Sequence, residues 1–261
     1  MSENQNIPAI EMRGVDVGAI HDLGLMVIEE VNWTVAPGEF WVVAGRQNSG
    51  KSDFLMTTAG LMAPLKGSYK FFGNETQLFD ESRLADRLRL GFVFETPKLF
   101  HHLTIAENIA LPLRYHRNLS DEAVNRETQT LLELMELTPF ADNVPTYVSA
   151  NWLKRAALAR ALILKPEVLL LDNPLGGLDA RHSRWWLHFL DELCRGHEWP
   201  GKRPMTVAAT TDDLRPWRND ARRFALLKDK QFSPLGSWNE VAAADEPVVK
   251  ELLAASLEAT I

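Results

Sequence analysis

The sequence is poor in the groups that staple or anchor a chain. Of 261 residues only Cys194 is a cysteine. That excludes an internal disulfide framework and a cysteine-rich zinc site, and fits a reducing compartment. No apolar run approaches the roughly 20 residues that span a bilayer. The N-terminal MSENQNIPAIEM lacks the basic flank and apolar stretch of a secretion signal. A basic excess is missing too: 28 Lys and Arg against 35 Asp and Glu leave a formal charge of −7, the opposite of a nucleic-acid footprint. Fixed-period repeats and low-complexity tracts are absent. The absences leave the expectation of a soluble, cytoplasmic globular chain with no nucleic-acid partner, long enough to bury a substantial core.

What is present is an alternation of strands and helices. Met26 to Val35 reads as a strand ending at the turn Pro37-Gly38, and Phe40 to Ala44 is a short apolar run suited to a buried parallel strand. A loop from Gly45 to Gly50 precedes an apolar helix to about Leu61. Ser68 to Phe72 and Arg89 to Glu95 read as strands. From Thr104 to about Leu137 the pattern is helical, with Ser120 as an N-cap. A further helix spans about Trp152 to Leu164, followed by the strand Val168–Leu171. Then come an amphipathic helix from Arg181 to Arg195, a strand at Thr206–Thr210, a hairpin at 223–235, and a helical Ala-rich end over 241–259. This order predicts one α/β domain over 1–261 with a mostly parallel sheet. Its core is formed by 1–96 and 156–261, and 97–155 is an inserted helical lobe.

Gly45-Arg46-Gln47-Asn48-Ser49-Gly50-Lys51-Ser52 matches the phosphate-loop pattern G-x-x-x-x-G-K-S at every fixed position. Glycines let backbone N–H groups turn inward around phosphate oxygens, and the N-terminus of the following helix adds positive potential. Lys51 would reach the terminal phosphates and the Ser52 hydroxyl would ligate Mg²⁺. Asp53 follows in the first helical turn, where a carboxylate favours the helix dipole but competes with phosphate. The second half of such a site is an acid ending a buried strand, and Val168-Leu169-Leu170-Leu171-Asp172 supplies it at the sheet edge where ligands bind.

With both halves in place, the chain is similar to the nucleotide-binding subunit of an ABC transporter. The likeness runs over about residues 8 to 258. It is carried by Pro37-Gly38-Glu39 and the phosphate loop, by PLKGSYKFFG (64–73), LTIAENIALPL (103–113) and KRAALARAL (154–162), and by LDNPLGGLD (171–179). LTIAENIALPLRYH and GSWNEVAAADEPVVKELL are most similar to the Mla-type branch, which serves membrane lipid trafficking. The resemblance implies a P-loop NTPase fold of ABC type, with an antiparallel β subdomain beside the central sheet. It implies ATP and Mg²⁺ as ligands, with Gly45, Asn48, Ser49, Gly50, Lys51, Ser52 and Asp53 around the nucleotide, and Ser52, Asp172 and Glu95 toward the metal. An integral membrane permease and a second ATP-binding subunit are the implied partners, at the inner face of the cell membrane.

Departures from the family pattern concern chemistry. The glutamate that polarises the attacking water is replaced by Asn173; an amide orients water but cannot take its proton, and general-base help is worth about 10²–10⁴-fold. The γ-phosphate-contacting histidine falls on Thr211, and the metal-coupling glutamine on Glu95. The signature LSGGQ reads Val148-Ser149-Ala150-Asn151-Trp152, so Ser149 survives while Ala150 and Asn151 replace glycines that admit close backbone approach. Trp152 would face the dimer interface. No aromatic stands at the adenine position near residues 15–25 apart from the His21 ring. In a head-to-tail dimer both composite sites would therefore be impaired. Two expectations follow: an energy-coupling ATP-binding subunit with slow hydrolysis, or a catalytically inactive pseudo-ATPase serving as a structural or regulatory subunit. Compact length counts against a non-transport ABC protein, and residues 148–179 against a generic P-loop kinase. His101 and His102 read as a solvated loop lacking metal-ligand spacing, Asp212 and Asp213 as caps of a following helix, and Cys194 as a buried helix residue.

Overall fold

The computed structural model describes residues 7–75, 84–219 and 221–254. Ten strands form one sheet. In chain order they are β1 (Ile10–Ala19), β2 (Asp22–Val35), β3 (Phe40–Ala44), β4 (Lys66–Phe71), β5 (Asn74–Glu75), β6 (Leu90–Val93), β7 (Val168–Leu171), β8 (Thr206–Thr211), β9 (Arg222–Lys228) and β10 (Gln231–Gly236). The spatial order is β5-β4-β1-β2-β10-β9-β3-β8-β7-β6. From β9 through β3, β8 and β7 to β6 the pairings are parallel, while β1, β2, β4 and β5 pair antiparallel. The expected parallel centre and antiparallel subdomain are both present. Strand β1 has no counterpart in the sequence reading. Its apolar side chains are interrupted by Gly14 at φ 56° and by register shifts, which blur the period-two signal.

The apolar run of β3 has its physical reason here, because the strand lies between β8 and β9 with both faces covered. Val42 and Ala44 face one apolar cluster together with Leu171, Ala209, Trp186 and Leu190. Trp41 and Val43 face the other with Trp33, Phe54 and Leu170. Eight α-helices accompany the sheet among the described residues: α1 (Lys51–Thr58), α2 (Leu84–Arg87), α3 (Ile105–His116), α4 (Asp121–Leu134), α5 (Ala150–Leu162), α6 (Ala180–Arg195), α7 (Trp238–Ala243) and α8 (Pro247–Ala254). The helical stretch expected from Thr104 to Leu137 is thus two helices, and Ser120 does cap the second, its Oγ accepting the Ala123 N–H at 3.3 Å. The expected terminal helix is broken between α7 and α8, and its last residues, 255–259, lie outside the described residues.

Helix α3 packs against both α4 and α5. Ile105, Leu131 and Leu158 in this trio belong to the same continuous apolar cluster as Val42 and Leu171, so α3–α5 share a core with the sheet. A capping box starts α3: Glu107 N–H donates to Thr104 Oγ1 at 3.1 Å and Thr104 N–H to Glu107 Oε2 at 2.8 Å. Buried Asn108 fixes the loop before it, with Oδ1 accepting the Phe100 N–H at 2.7 Å and Nδ2 donating to the Phe100, Leu103 and Thr104 carbonyls. This loop presents His101 and His102 to solvent. Cys194 lies half-buried in α6, its thiol donating to Gly38 O, and burial pushes it up to about 11.

Candidate functional site

The C-terminal ends of β3, β7 and β8 converge on one edge of the sheet, and the loops leaving them build the site. Gly45 leaves β3 with no room for a side chain: a Cβ there would stand 2.4 Å from Ser49 Oγ and 2.8 Å from Leu227 O. Gly50 enters α1 at φ 89°, a left-handed conformation that glycine adopts without strain. Lys51 is buried, and its Nζ donates to Gly45 O at 2.8 Å and Arg46 O at 2.6 Å, closing the loop on itself. Burial draws the Lys51 ammonium below the ordinary lysine range; Asp212, Asp172 and Glu95, in that order, oppose the shift. The first turn of α1 adds N–H groups that no intrahelical carbonyl can accept. A loop of this shape can cradle a polyphosphate.

These residues open on a cavity of ≈ 520 Å³. Of the expected loop residues, Asn48, Gly50, Lys51, Ser52 and Asp53 line it, joined by Glu95, Asp172 and Asn173. Ser49 instead lines a neighbouring cavity of ≈ 360 Å³ with Arg46 and Lys230. Its Oγ is buried with no hydrogen-bond partner among the described residues. Asp53 does more than favour the helix dipole: its Oδ1 accepts the Ile20 N–H at 2.7 Å and ties down the β1–β2 hairpin. That hairpin brings Ala19, Ile20 and His21 to the cavity's rim.

Asp172 is buried at the end of β7. Thr210 Oγ1 donates to its Oδ1 at 2.8 Å and accepts the Asn173 N–H at 3.0 Å, so one hydroxyl on β8 orients two consecutive site residues. Burial raises the Asp172 carboxyl, while the Ser52 and Thr210 hydroxyls hold it back. A desolvated carboxylate beside a serine hydroxyl offers the hard oxygen donors that Mg²⁺ takes, with water and phosphate completing its shell. The residues fit that ion, and Glu95 lines the same cavity.

Asn173 adopts φ 40° and turns its Nδ2 onto Glu95 Oε1 at 2.8 Å. Thr211 is 2% exposed and its hydroxyl is already occupied: it donates to Asp213 O at 2.9 Å and accepts from Trp217 Nε1 at 3.0 Å. Neither acid is the expected helix cap, since Leu214 holds the N-cap of the short 3₁₀ turn Arg215–Trp217 with no side-chain capping bond, but Asp213 Oδ1 accepts the Arg215 N–H at 3.0 Å and steadies the entry to that turn. Asp212 does not share that task; it lines the cavity beside Lys51.

Ser149 is exposed at the N-cap of α5 and makes no side-chain capping bond. Ala150 follows, also exposed, and Asn151 Nδ2 donates to Asp179 Oδ2 at 2.8 Å. Asp179 also caps α6, and accepting the His182 and Arg181 N–H groups lowers its carboxyl. Trp152, expected at a dimer interface, is half-buried within its own chain. Its ring centroid lies 5.1 Å from Phe140 and 5.0 Å from His182, with the Arg155 guanidinium 4.6 Å away. Thr210 and Lys154, whose Nζ donates to Gly176 O at 2.6 Å, join the site without a sequence signal for that role: a threonine in an apolar strand carries no motif, and Lys154 opens the family-like KRAALARAL stretch without marking what its side chain bonds.

The ABC transporter family profile matches residues 28–176. The chain belongs to the ABC transporter family. Among curated members, the sulfate/thiosulfate import ATP-binding protein of Photorhabdus laumondii is 38% identical over 82% of this chain and 58% of its own length. The probable sulfate/thiosulfate import ATP-binding protein of Chlorella vulgaris is 33% identical over 82% of this chain and 86% of its own. This ABC chain thus spans less than two thirds of the length of several relatives, 59% for that of Synechococcus elongatus. Among solved structures, the dimeric post-hydrolysis state of the ATP-binding cassette MJ0796 with ADP and Pi superposes with a TM-score of 0.75 at 28% identity, over 88% of this chain and 100% of that one. The expected lipid-trafficking branch is overturned: these relatives are named for sulfate/thiosulfate import.

Proposed function

We propose that this chain is the ATP-binding subunit of an ABC transporter in which nucleotide binding is the principal event and hydrolysis is slow. It works at the cytoplasmic face of the membrane, with a separately encoded permease and a second ATP-binding chain. The observation that carries this reading is the pairing of Asn173 with Glu95 beside Lys51, Ser52 and Asp172. The phosphate-holding groups stand together, yet the position next to Asp172 offers an amide already engaged by a neighbour. An amide hydrogen donor committed to Glu95 can orient water and cannot deprotonate it.

Lys51, the phosphate-loop N–H groups of Asn48 and Gly50, and the Ser52 hydroxyl bind and orient the polyphosphate. Bound at Ser52 and Asp172, with Glu95 at hand, Mg²⁺ would supply charge neutralisation for the phosphates. Thr210 holds Asp172 in place from β8. The purely structural reading, a pseudo-ATPase docking the permease, draws on the engaged Thr211 hydroxyl and on Ala150 and Asn151. Relatives named for sulfate/thiosulfate import make a small oxyanion the first cargo to test.

ATP binding and phosphate release by the purified chain, alone and with its co-purifying membrane partner, test the proposal. The expected result is Mg²⁺-supported ATP binding, lost in Lys51→Ala, with slow phosphate release. Binding without any release favours a nucleotide-binding pseudo-ATPase, and no binding to the unmodified chain overturns the proposal and leaves the purely structural subunit that docks the permease.

A further inference from the structure

The charge lining the phosphate cavity is opposite to what a polyphosphate prefers. Asp53, Glu95, Asp172 and Asp212 line it, and Lys51 is the one lysine or arginine among its lining residues. Lys51 already bridges Gly45 O and Arg46 O. The cations next to the site are spent elsewhere: Arg46 forms a two-pronged pair with Glu251 of α8, and Lys154 is committed to the carbonyls of Asn173, Pro174 and Gly176. No compensation comes from the end of β8, where the Thr211 hydroxyl is held by Trp217 and Asp213.

We propose that Asp53 and Asp212 are the residues by which this site rejects a metal-free nucleoside triphosphate in favour of its divalent-cation complex. The inference rests on the nucleotide-binding reading above and concerns its selectivity. A metal-free triphosphate carries about four negative charges near neutral pH into a partly desolvated cleft, where like charges repel far more than in water. The divalent ion answers Asp172 and the phosphates together. Asp53 and Asp212 add two further carboxylates to the lining of the same cavity, Asp53 being fixed at the rim by the Ile20 N–H. Built-in repulsion of the wrong ligand is a means of specificity that needs no added attraction for the right one.

Isosteric variants separate charge from shape. Asp53→Asn keeps an oxygen for the Ile20 N–H, and Asp212→Asn changes charge with nearly constant volume. The experiment is calorimetric titration of the full chain with ATP, in MgCl₂ and in EDTA. For the unmodified chain, affinity in EDTA should be at least about 30-fold weaker than in MgCl₂. In the Asp53→Asn, Asp212→Asn double variant the gap should shrink to less than about five-fold, through tighter metal-free binding. If thermal melting shows the double variant unfolded, Asp212→Asn alone is read: a gap narrowed about three-fold or more supports the inference, and an unchanged gap overturns it. Equal affinity of the unmodified chain in MgCl₂ and EDTA also overturns it, while leaving the nucleotide-binding reading intact. No binding in either buffer defeats that reading, and the inference with it.

Discussion

Asn173 and Glu95 stand opposite each other because their strands are in register. Parallel pairing of β6 with β7 matches Val93 to Leu171, and each residue lies two positions beyond that pair. The bond from Asn173 Nδ2 to Glu95 Oε1, 2.8 Å long, is the continuation of the sheet into the site. Family resemblance places a glutamine at 95 and a glutamate at 173. On that expectation the carboxylate and the amide stand in exchanged positions, across the same contact.

An exchange of this kind can be reversed. Asn173→Glu combined with Glu95→Gln restores a carboxylate next to Asp172 while keeping an amide donor across from it. Phosphate release should rise about 100-fold or more, within the range general-base assistance supplies. Asn173→Glu alone should gain much less, because two carboxylates would meet where one hydrogen bond stood, and one must be protonated or displaced. Rates from a coupled phosphate assay on matched concentrations decide it. No gain from the double variant would place the block at Ser149–Trp152 or at nucleotide binding.

Thr211, where the resemblance leads one to expect the γ-phosphate-contacting histidine, is held as a structural residue. Its hydroxyl accepts from Trp217 Nε1, and Trp217 is fully buried. Thr211→Val should cost about 1–3 kcal/mol, the penalty for leaving a buried indole N–H unpaired. Urea denaturation would show it as a lower midpoint at constant slope. Thr211→His should destabilise further by overfilling the site, so installing the histidine alone should not raise turnover. Unchanged stability in Thr211→Val would mean that Trp217 finds another acceptor.

Asp172 trades stability for ligand binding. Its folded carboxyl is raised by burial above its unfolded value, so the ionised form opposes folding. That penalty is present at neutral pH and disappears as the pH falls below about 4, where the unfolded carboxyl is protonated as well. Asp172→Asn, which keeps an oxygen for the Thr210 hydroxyl, should therefore raise the melting temperature of the nucleotide-free chain at pH 7. The gain should shrink as the pH is lowered toward 4, while Mg²⁺-dependent nucleotide binding is lost. A lower melting temperature at pH 7 would show that the hydrogen bonds to the carboxylate outweigh its desolvation.

Legibility followed the physics of each signal. Buried parallel strands such as Phe40–Ala44 and Val168–Leu171 read directly, since their apolar runs have no alternative use. The Ser120 cap read nearly as well because its capping partner is a neighbour in sequence, whereas the Thr104–Glu107 box that starts α3 emerges only in the structure. Asp53 could be placed beside the phosphates but not assigned its partner, since Ile20 lies 33 residues away. Asp212 and Asp213 read alike as caps, yet Asp213 bonds the 3₁₀ turn from outside its N-cap and Asp212 lines the cavity, for two adjacent acids cannot be told apart until the turn is folded. Thr210, the hinge of Asp172 and Asn173, depends on β7 and β8 being neighbours, a long-range pairing that no local pattern encodes.

Lys154 tests whether the Asn173 loop is held from outside the strands. Its Nζ donates to Gly176 O at 2.6 Å and lies 3.3 Å and 3.4 Å from the Asn173 and Pro174 carbonyls, so one ammonium gathers three acceptors of a single turn. Burial lowers the Lys154 ammonium, with Glu95, Asp172 and Asp212 opposing the shift. Lys154→Met removes the donors and leaves partly buried carbonyls unpaired, at a cost of about 1–3 kcal/mol. Asn173, held at φ 40°, should then relax, and hydrogen exchange over 173–176 should accelerate more than across the central strands. Lys154→Gln, which retains an amide donor, should recover part of both effects. Equal exchange in Lys154→Met and the unmodified chain would assign the turn's shape to the Asn173–Glu95 and Asn173–Thr210 bonds alone.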